Sequence, residues 1–147
     1  MTLIISGILF GIFLFLSSLH FYWAFGGKWG STAVLPTKDD NTPQKTINPG
    51  IIATLTVAFG LLAFGLLPLV VIGTIHFPLP DWLQKSGLWI IAGIFGTRAI
   101  GDFNYVGFFK KIKHTTFAKN DTRYYSPLCT VISLLAATLI LIRHSFM

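Results

Sequence analysis

Residues 3–25 read LIISGILFGIFLFLSSLHFYWAF, a run without a single Asp, Glu, Lys or Arg. At 1.5 Å per residue it makes a helix of about 35 Å, enough to cross a hydrocarbon core about 30 Å thick. The rest of the chain agrees with a bilayer as its solvent. Of 147 residues, 53% are apolar and only 11% charged, and the mean hydropathy is +0.70. Such a chain has too little polar surface to cover itself in water. No Lys or Arg precedes the first run and no small-residue cleavage site follows it, so it is expected to be retained as a helix, not removed as a targeting segment.

Three further crossings are expected. The second covers about residues 49–75, with Asn48 as N-cap, Pro49 at the first helical position, and Pro68 placed to kink the helix. After a turn at residues 77–81, the third covers about 83–108 and holds the only formal charges well inside a span, Arg98 and Asp102. The fourth covers about 126–143, where Ser126-Pro127 repeats the cap-then-proline pattern behind Tyr124 and Tyr125, residues suited to the membrane interface. The expected fold is therefore all-α: a four-transmembrane-helix bundle forming one integral membrane domain over residues 1–147.

Orientation follows from the basic residues. Lys28, Lys38 and Lys45 lie in the first loop and Lys110, Lys111, Lys113, Lys119 and Arg123 in the third, against Lys85 and Arg143 on the opposite side. That bias puts loops 1 and 3 in the cytoplasm and both termini outside. It also accounts for the net charge of +6 without nucleic acid; the expected partners are membrane lipids. The single cysteine, Cys129, excludes an intrachain disulfide, and no Cys/His zinc spacing exists. His76 and His144 stand at outward helix ends with no ligand spacing behind them, so no metal is expected and no cofactor is implied. Small residues at four-residue spacing, Gly7 with Gly11, Gly93 with Thr97 and Gly101, and Ser133 with Ala137, are expected to let helices approach within one bundle. A homo-oligomer face is the alternative.

An ionisable side chain at mid-membrane costs about 2.5–3.5 kcal/mol on insertion scales, so it needs a partner or a purpose. Arg98 and Asp102 stand at i and i+4 on one face of the expected third helix, where guanidinium and carboxylate can meet. Tyr105 shares that face and Asn104 borders it. On the first helix His20 lies at similar depth, and Trp23 falls on its side, whereas Tyr22 points away. The expected site is thus a polar pocket toward the cytoplasmic leaflet. Arg98 would hold an anionic or carbonyl group of a ligand, His20 would be the acid–base group with Asp102 fixing its tautomer, and Trp23 and Tyr105 would form walls. Asp121 and Arg123, just before the fourth helix, would cap it or close over the rim.

The strings HFYWAFGGKWG (residues 20–30), RAIGDF (98–103) and FAKNDTRYYSPLC (117–129) resemble a bacterial membrane family catalogued as domain of unknown function number 3995. The resemblance spans nearly the whole chain and implies a small four-helix protein of the bacterial inner membrane; it implies no activity, substrate or cofactor. Three function classes stay open: a protein that binds a lipid or small amphipathic ligand and is either a catalyst or a binding module, a small transporter or channel subunit, and a structural or interaction subunit of a membrane complex. The first is preferred because the polar residues gather at one depth, whereas a permeation path wants polar groups across the bilayer.

Overall fold

The structure, a computed structural model, describes residues 1–35 and 50–145. The expected Asn48-Pro49 cap, with Lys38 and Lys45, lies outside the described residues. Every regular element among those described is helical. Helix α1 spans Thr2–Ala24, α2 Ser31–Val34, α3 Ile51–Val71 and α4 Asp81–Ile100. Then α5 (Thr116–Asn120), a π-helical turn (Asp121–Tyr125) and α6 (Ser126–Ser145) follow one another without a break. Among the described residues three helical stretches, Thr2–Ala24, Ile51–Val71 and Thr116–His144, are long and apolar enough to cross a membrane. Helix α4, with Asp81, Lys85 and Arg98 in 20 residues, is less apolar.

Local chemistry sets the ends. Helix α1 stops where Gly26 takes φ 89°, and the indole N–H of Trp23 then donates to the Trp29 carbonyl at 2.8 Å, pinning the turn that leads into α2. In α3 the hydroxyls of Thr54 and Thr56 donate to the carbonyls of Gly50 and Ile52 four residues back, so no polar group is left facing an apolar surround. Pro68 lies in the last turn of α3, which closes at Val71 rather than at residue 75.

The third long helix departs most from expectation. It ends at Ile100, not near residue 108, because Gly101 adopts φ 96° and turns the chain back. Residues 101–115 fold over the end of α4, where the Phe108 N–H donates to the Ala99 carbonyl at 2.9 Å and that of Ile112 to Asn104 at 3.0 Å. Arg98 and Asp102 therefore do not share a helical face, and the i, i+4 pair expected between them does not form. The fourth helix is also longer at its start than expected. Thr115 caps it, its hydroxyl accepting from the Ala118 N–H at 3.1 Å, and Ser126-Pro127 falls inside it instead of opening it. Proline at 127 has no N–H and its ring crowds the carbonyl four residues back, which the wide π turn before it relieves.

Helix α1 packs chiefly on α3, and α4 on α6. Ser17 donates across the first pair to the Ala58 carbonyl at 2.8 Å, and Ser133 across the second to Ala92 at 2.8 Å, bonds of about 0.6–2 kcal/mol each in an apolar surround. Glycine is needed for close packing at three positions: a Cβ added at Gly65 would stand 3.0 Å from the Phe13 Cβ, one at Gly87 would run into the Leu67 side chain, and one at Gly96 would stand 3.1 Å from the Ser133 hydroxyl. Gly7, Gly11 and Gly93 meet nothing within 4 Å of where a Cβ would stand, so the expected role of these three in packing the bundle is corrected: they face outward. The two pairs meet through Phe13, Phe64 and Phe95, with Phe13 and Phe95 edge-on at 5.2 Å, and through buried Leu9, Ile91 and Ile132. Large apolar side chains such as Ile4, Phe15, Phe59, Leu134 and Leu141 cover the outside, a surface that lipid solvates and water does not.

Candidate functional site

At one end of the bundle the C-terminal part of α1, the N-terminal part of α3, the end of α4 and the start of α6 enclose a cavity of about 680 Å³. Its apolar walls include Leu16, Val57, Leu61, Phe95, Leu128 and Ile132, and Val34 and Leu35, at the end of α2, close one side. His20, Trp23 and Arg98 all line it, so the structure brings together three residues that the sequence singled out. Among the described lining residues Arg98 alone carries a permanent charge. A smaller cavity of about 310 Å³ lies at the other end, between Thr2, Ile72, Leu88 and Arg143. The two sets of walls show that consecutive long helices alternate in direction.

Arg98 reaches a carboxylate, but not the expected one. Its Nη2 donates to Asp121 Oδ1 at 2.9 Å. Asp121, fully buried, accepts three more bonds on Oδ2: from the Gly107 N–H at 2.8 Å, Lys110 Nζ at 2.9 Å and the Ser126 hydroxyl at 3.1 Å. Lys110 is buried too, and its ammonium also donates to the Gly107 carbonyl (2.9 Å) and the Thr122 hydroxyl (2.6 Å). Two cations thus face one anion; Asp121 and Lys110 are buried, and Arg98, with a third of its side chain exposed, is the member that touches the cavity. Its Nη1 is buried and has no hydrogen-bond partner. An unmet buried donor costs about 1–3 kcal/mol, more when charged.

His20 is held by its own helix. Nδ1 donates to the Leu16 carbonyl at 2.8 Å, as it must because a carbonyl only accepts, and the ring packs edge-on against Trp23 at 5.1 Å. That bond leaves Nε2 as the acceptor and takes the tautomer-fixing place expected for Asp102. Asp102 itself is exposed and shapes the loop, its Oδ1 accepting from the N–H groups of Asn104, Tyr105 and Val106 at 2.7–2.9 Å. Burial acts to raise its pKa, but the bonds from Val106, Asn104 and Tyr105 outweigh it, and the carboxyl titrates below the usual carboxylate range. Asn104, Tyr105 and Arg123 do not line the cavity either; Arg123 lies over the Tyr124 ring at 5.5 Å.

Sequence reasoning missed three members. Tyr125, taken for an interface anchor, lines the cavity and donates to the Ala33 carbonyl at 3.2 Å, tying α2 to the π turn. Cys129 stands one turn further along on the same wall, and Lys110, counted only toward topology, completes the buried ion cluster. The usable signal was Asp121 itself, an acid amid a basic stretch six residues before a helical proline.

A family model described as a protein of unknown function (DUF3995) matches residues 13–136 of the chain, a span that includes every residue of the cavity and the ion cluster named above. No curated protein and no solved structure matches it.

Proposed function

The chain belongs to this family of unknown function, and from that premise we propose that it is a bacterial inner-membrane protein whose cytoplasm-facing pocket binds a lipid or small amphipathic ligand through Arg98. In this reading α4 is a fourth crossing beside the three apolar stretches, loops 1 and 3 are cytoplasmic, and both termini are outside. The observation that carries it is the cavity: apolar walls and, among the described lining residues, one permanent charge, that of Arg98. His20, on the same wall, is the group that would move a proton if the pocket is catalytic. A transmembrane path is disfavoured, because Leu9, Phe13, Ile91 and Phe95 fill the bundle between the two cavities.

Topology is tested with single cysteines at Lys38, Lys113 and the C-terminus in a Cys129→Ser background. An impermeant thiol reagent added to intact cells is expected to label the C-terminal position alone. Labelling of the two loop positions instead would invert the arrangement. The pocket is tested by mass spectrometry of what copurifies with the protein in a mild detergent. A molecule present in stoichiometric amount is expected with the parent and with His20→Ala, and is expected to be lost from Arg98→Ala. Retention of the same molecule by Arg98→Ala would remove Arg98 from its recognition.

A further inference from the structure

Resting on the pocket reading above, we infer that the ligand is a single-tailed amphiphile whose head carries one net negative charge, a carboxylate or a phosphate ester, bound at Arg98. Arg98 and Lys110 bring two positive charges to Asp121 and its single negative one. Lys110 is 1% exposed in its side chain and has three acceptors around its ammonium, so its charge is fully engaged within the protein. The surplus positive charge therefore resides on Arg98, whose side chain is one-third exposed and lines the cavity. An unbalanced charge in a medium of low dielectric is costly, and an anion arriving at the guanidinium removes the imbalance.

Among the described residues the other lining groups favour that head. A neutral polar head would leave the charge of Arg98 unbalanced and would find few other donors, since those on the cavity wall are engaged: His20 Nδ1 by Leu16, the Trp23 indole by Trp29, the Thr54 hydroxyl by Gly50 and the Tyr125 hydroxyl by Ala33. A cationic or zwitterionic head would need an acid, and no Asp or Glu is among the described lining residues. Leu16, Val57, Leu61 and Ile132 offer a tail only dispersion and apolar burial. A volume of about 680 Å³ falls within the roughly 300–1,000 Å³ typical of a site for one small ligand, which favours one acyl chain over two.

The test uses the full chain in a neutral maltoside detergent at alkaline pH, with cis-parinaric acid, a fluorescent fatty acid, and its alcohol as probes. Titrations of parent, Arg98→Gln and Val57→Trp are compared, so that partitioning into micelles cancels. The acid is expected to bind the parent about 10- to 100-fold more tightly than the alcohol, as a charge-assisted hydrogen bond would give. Arg98→Gln leaves the Asp121–Lys110 pair neutral and folded, and is expected to abolish that preference without weakening the alcohol. Val57→Trp, which leaves the ion cluster intact and fills the tail cavity, is expected to weaken both probes together. Oleate and dodecyl phosphate should each displace the acid, their relative potency identifying carboxylate or phosphate as the preferred head, whereas dodecyltrimethylammonium should not. Equal binding of acid and alcohol to the parent, with both weakened by Val57→Trp, overturns the anionic head and leaves the pocket standing. A preference that survives in Arg98→Gln, or displacement by the ammonium amphiphile, also overturns it. Failure of both probes to bind the parent overturns the pocket and the head together.

Discussion

Asp121→Asn is expected to unfold the protein more readily than any other conservative polar substitution in the chain. The carboxylate is completely buried and receives four donors, two of them full cations. Asparagine is isosteric but neutral, so the change strands Lys110 as an uncompensated buried charge, a situation that costs about 3–5 kcal/mol. Thermal unfolding in detergent and the yield of monodisperse protein measure it. The double variant Asp121→Asn with Lys110→Met should recover much of the loss, since it removes the stranded ammonium while Arg98 can still turn its charge to the cavity. Asp102→Asn serves as the contrast. That side chain is exposed and its amide oxygen can still accept from the loop's N–H groups, so the expected change is within about 0.5 kcal/mol. Equal melting of Asp121→Asn and the parent would mean that the buried ion cluster does not form.

Gly107→Ala is expected to be nearly as damaging, by a route that involves no charge. Gly107 sits at φ 87°, a conformation that costs an L-residue about 1–3 kcal/mol, and an added Cβ would run into the carbonyl of Ile100 and the backbone of Gly101. Backbone cannot swing aside as a side chain does. The segment 101–115 must lift from the end of α4, and it carries with it the Gly107 N–H and Lys110, two of the four donors to Asp121. The expected result is a lower Tm together with faster proteolysis within residues 101–115. Gly93→Ala, where the new methyl meets nothing, should melt at or above the parent. A Gly107→Ala protein as protease-resistant as Gly93→Ala would show that the loop is not clamped there.

The long helices were legible because an uncharged run of some twenty residues has few physical alternatives; α1 was placed to within a residue at either end. Helix α4 was overrun because Arg98 and Asp102 carry the spacing of a helical ion pair, and that pattern outweighed Gly101. The corrective signal was local and present: an aspartate two residues before an asparagine, with glycines at 101 and 107 on either side, reads as a side-chain-nucleated turn. The Arg98–Asp121 pair was not legible by any such rule. Its partners are 23 positions apart, on elements whose mutual rotation only tertiary packing fixes. The cavity was half legible for the same reason. Helical phase placed His20 and Trp23 on one side of α1, and the depth match with Arg98 follows from where both lie along their helices. Tyr125 and Cys129 reach the wall only because of the wide turn that Pro127 favours.

That wide turn acts as a phase setter for the last long rod of the molecule, Thr116 to Ser145. Upstream of it the rod is fixed by Thr115 and by Asp121 under Arg98; downstream it is fixed by Ser133 against α4. An ordinary α-helix of the same sequence would advance about 100° per residue with no slack, so a rod shortened by one residue at the turn could satisfy the upstream anchor or the downstream one, but not both. The extra residue thus reconciles two docking surfaces that a regular helix would set at odds. Loss or gain of a single codon between 121 and 125 would rotate Cys129 and Ile132 off the cavity wall while leaving the composition, hydropathy and charge of the chain almost unchanged.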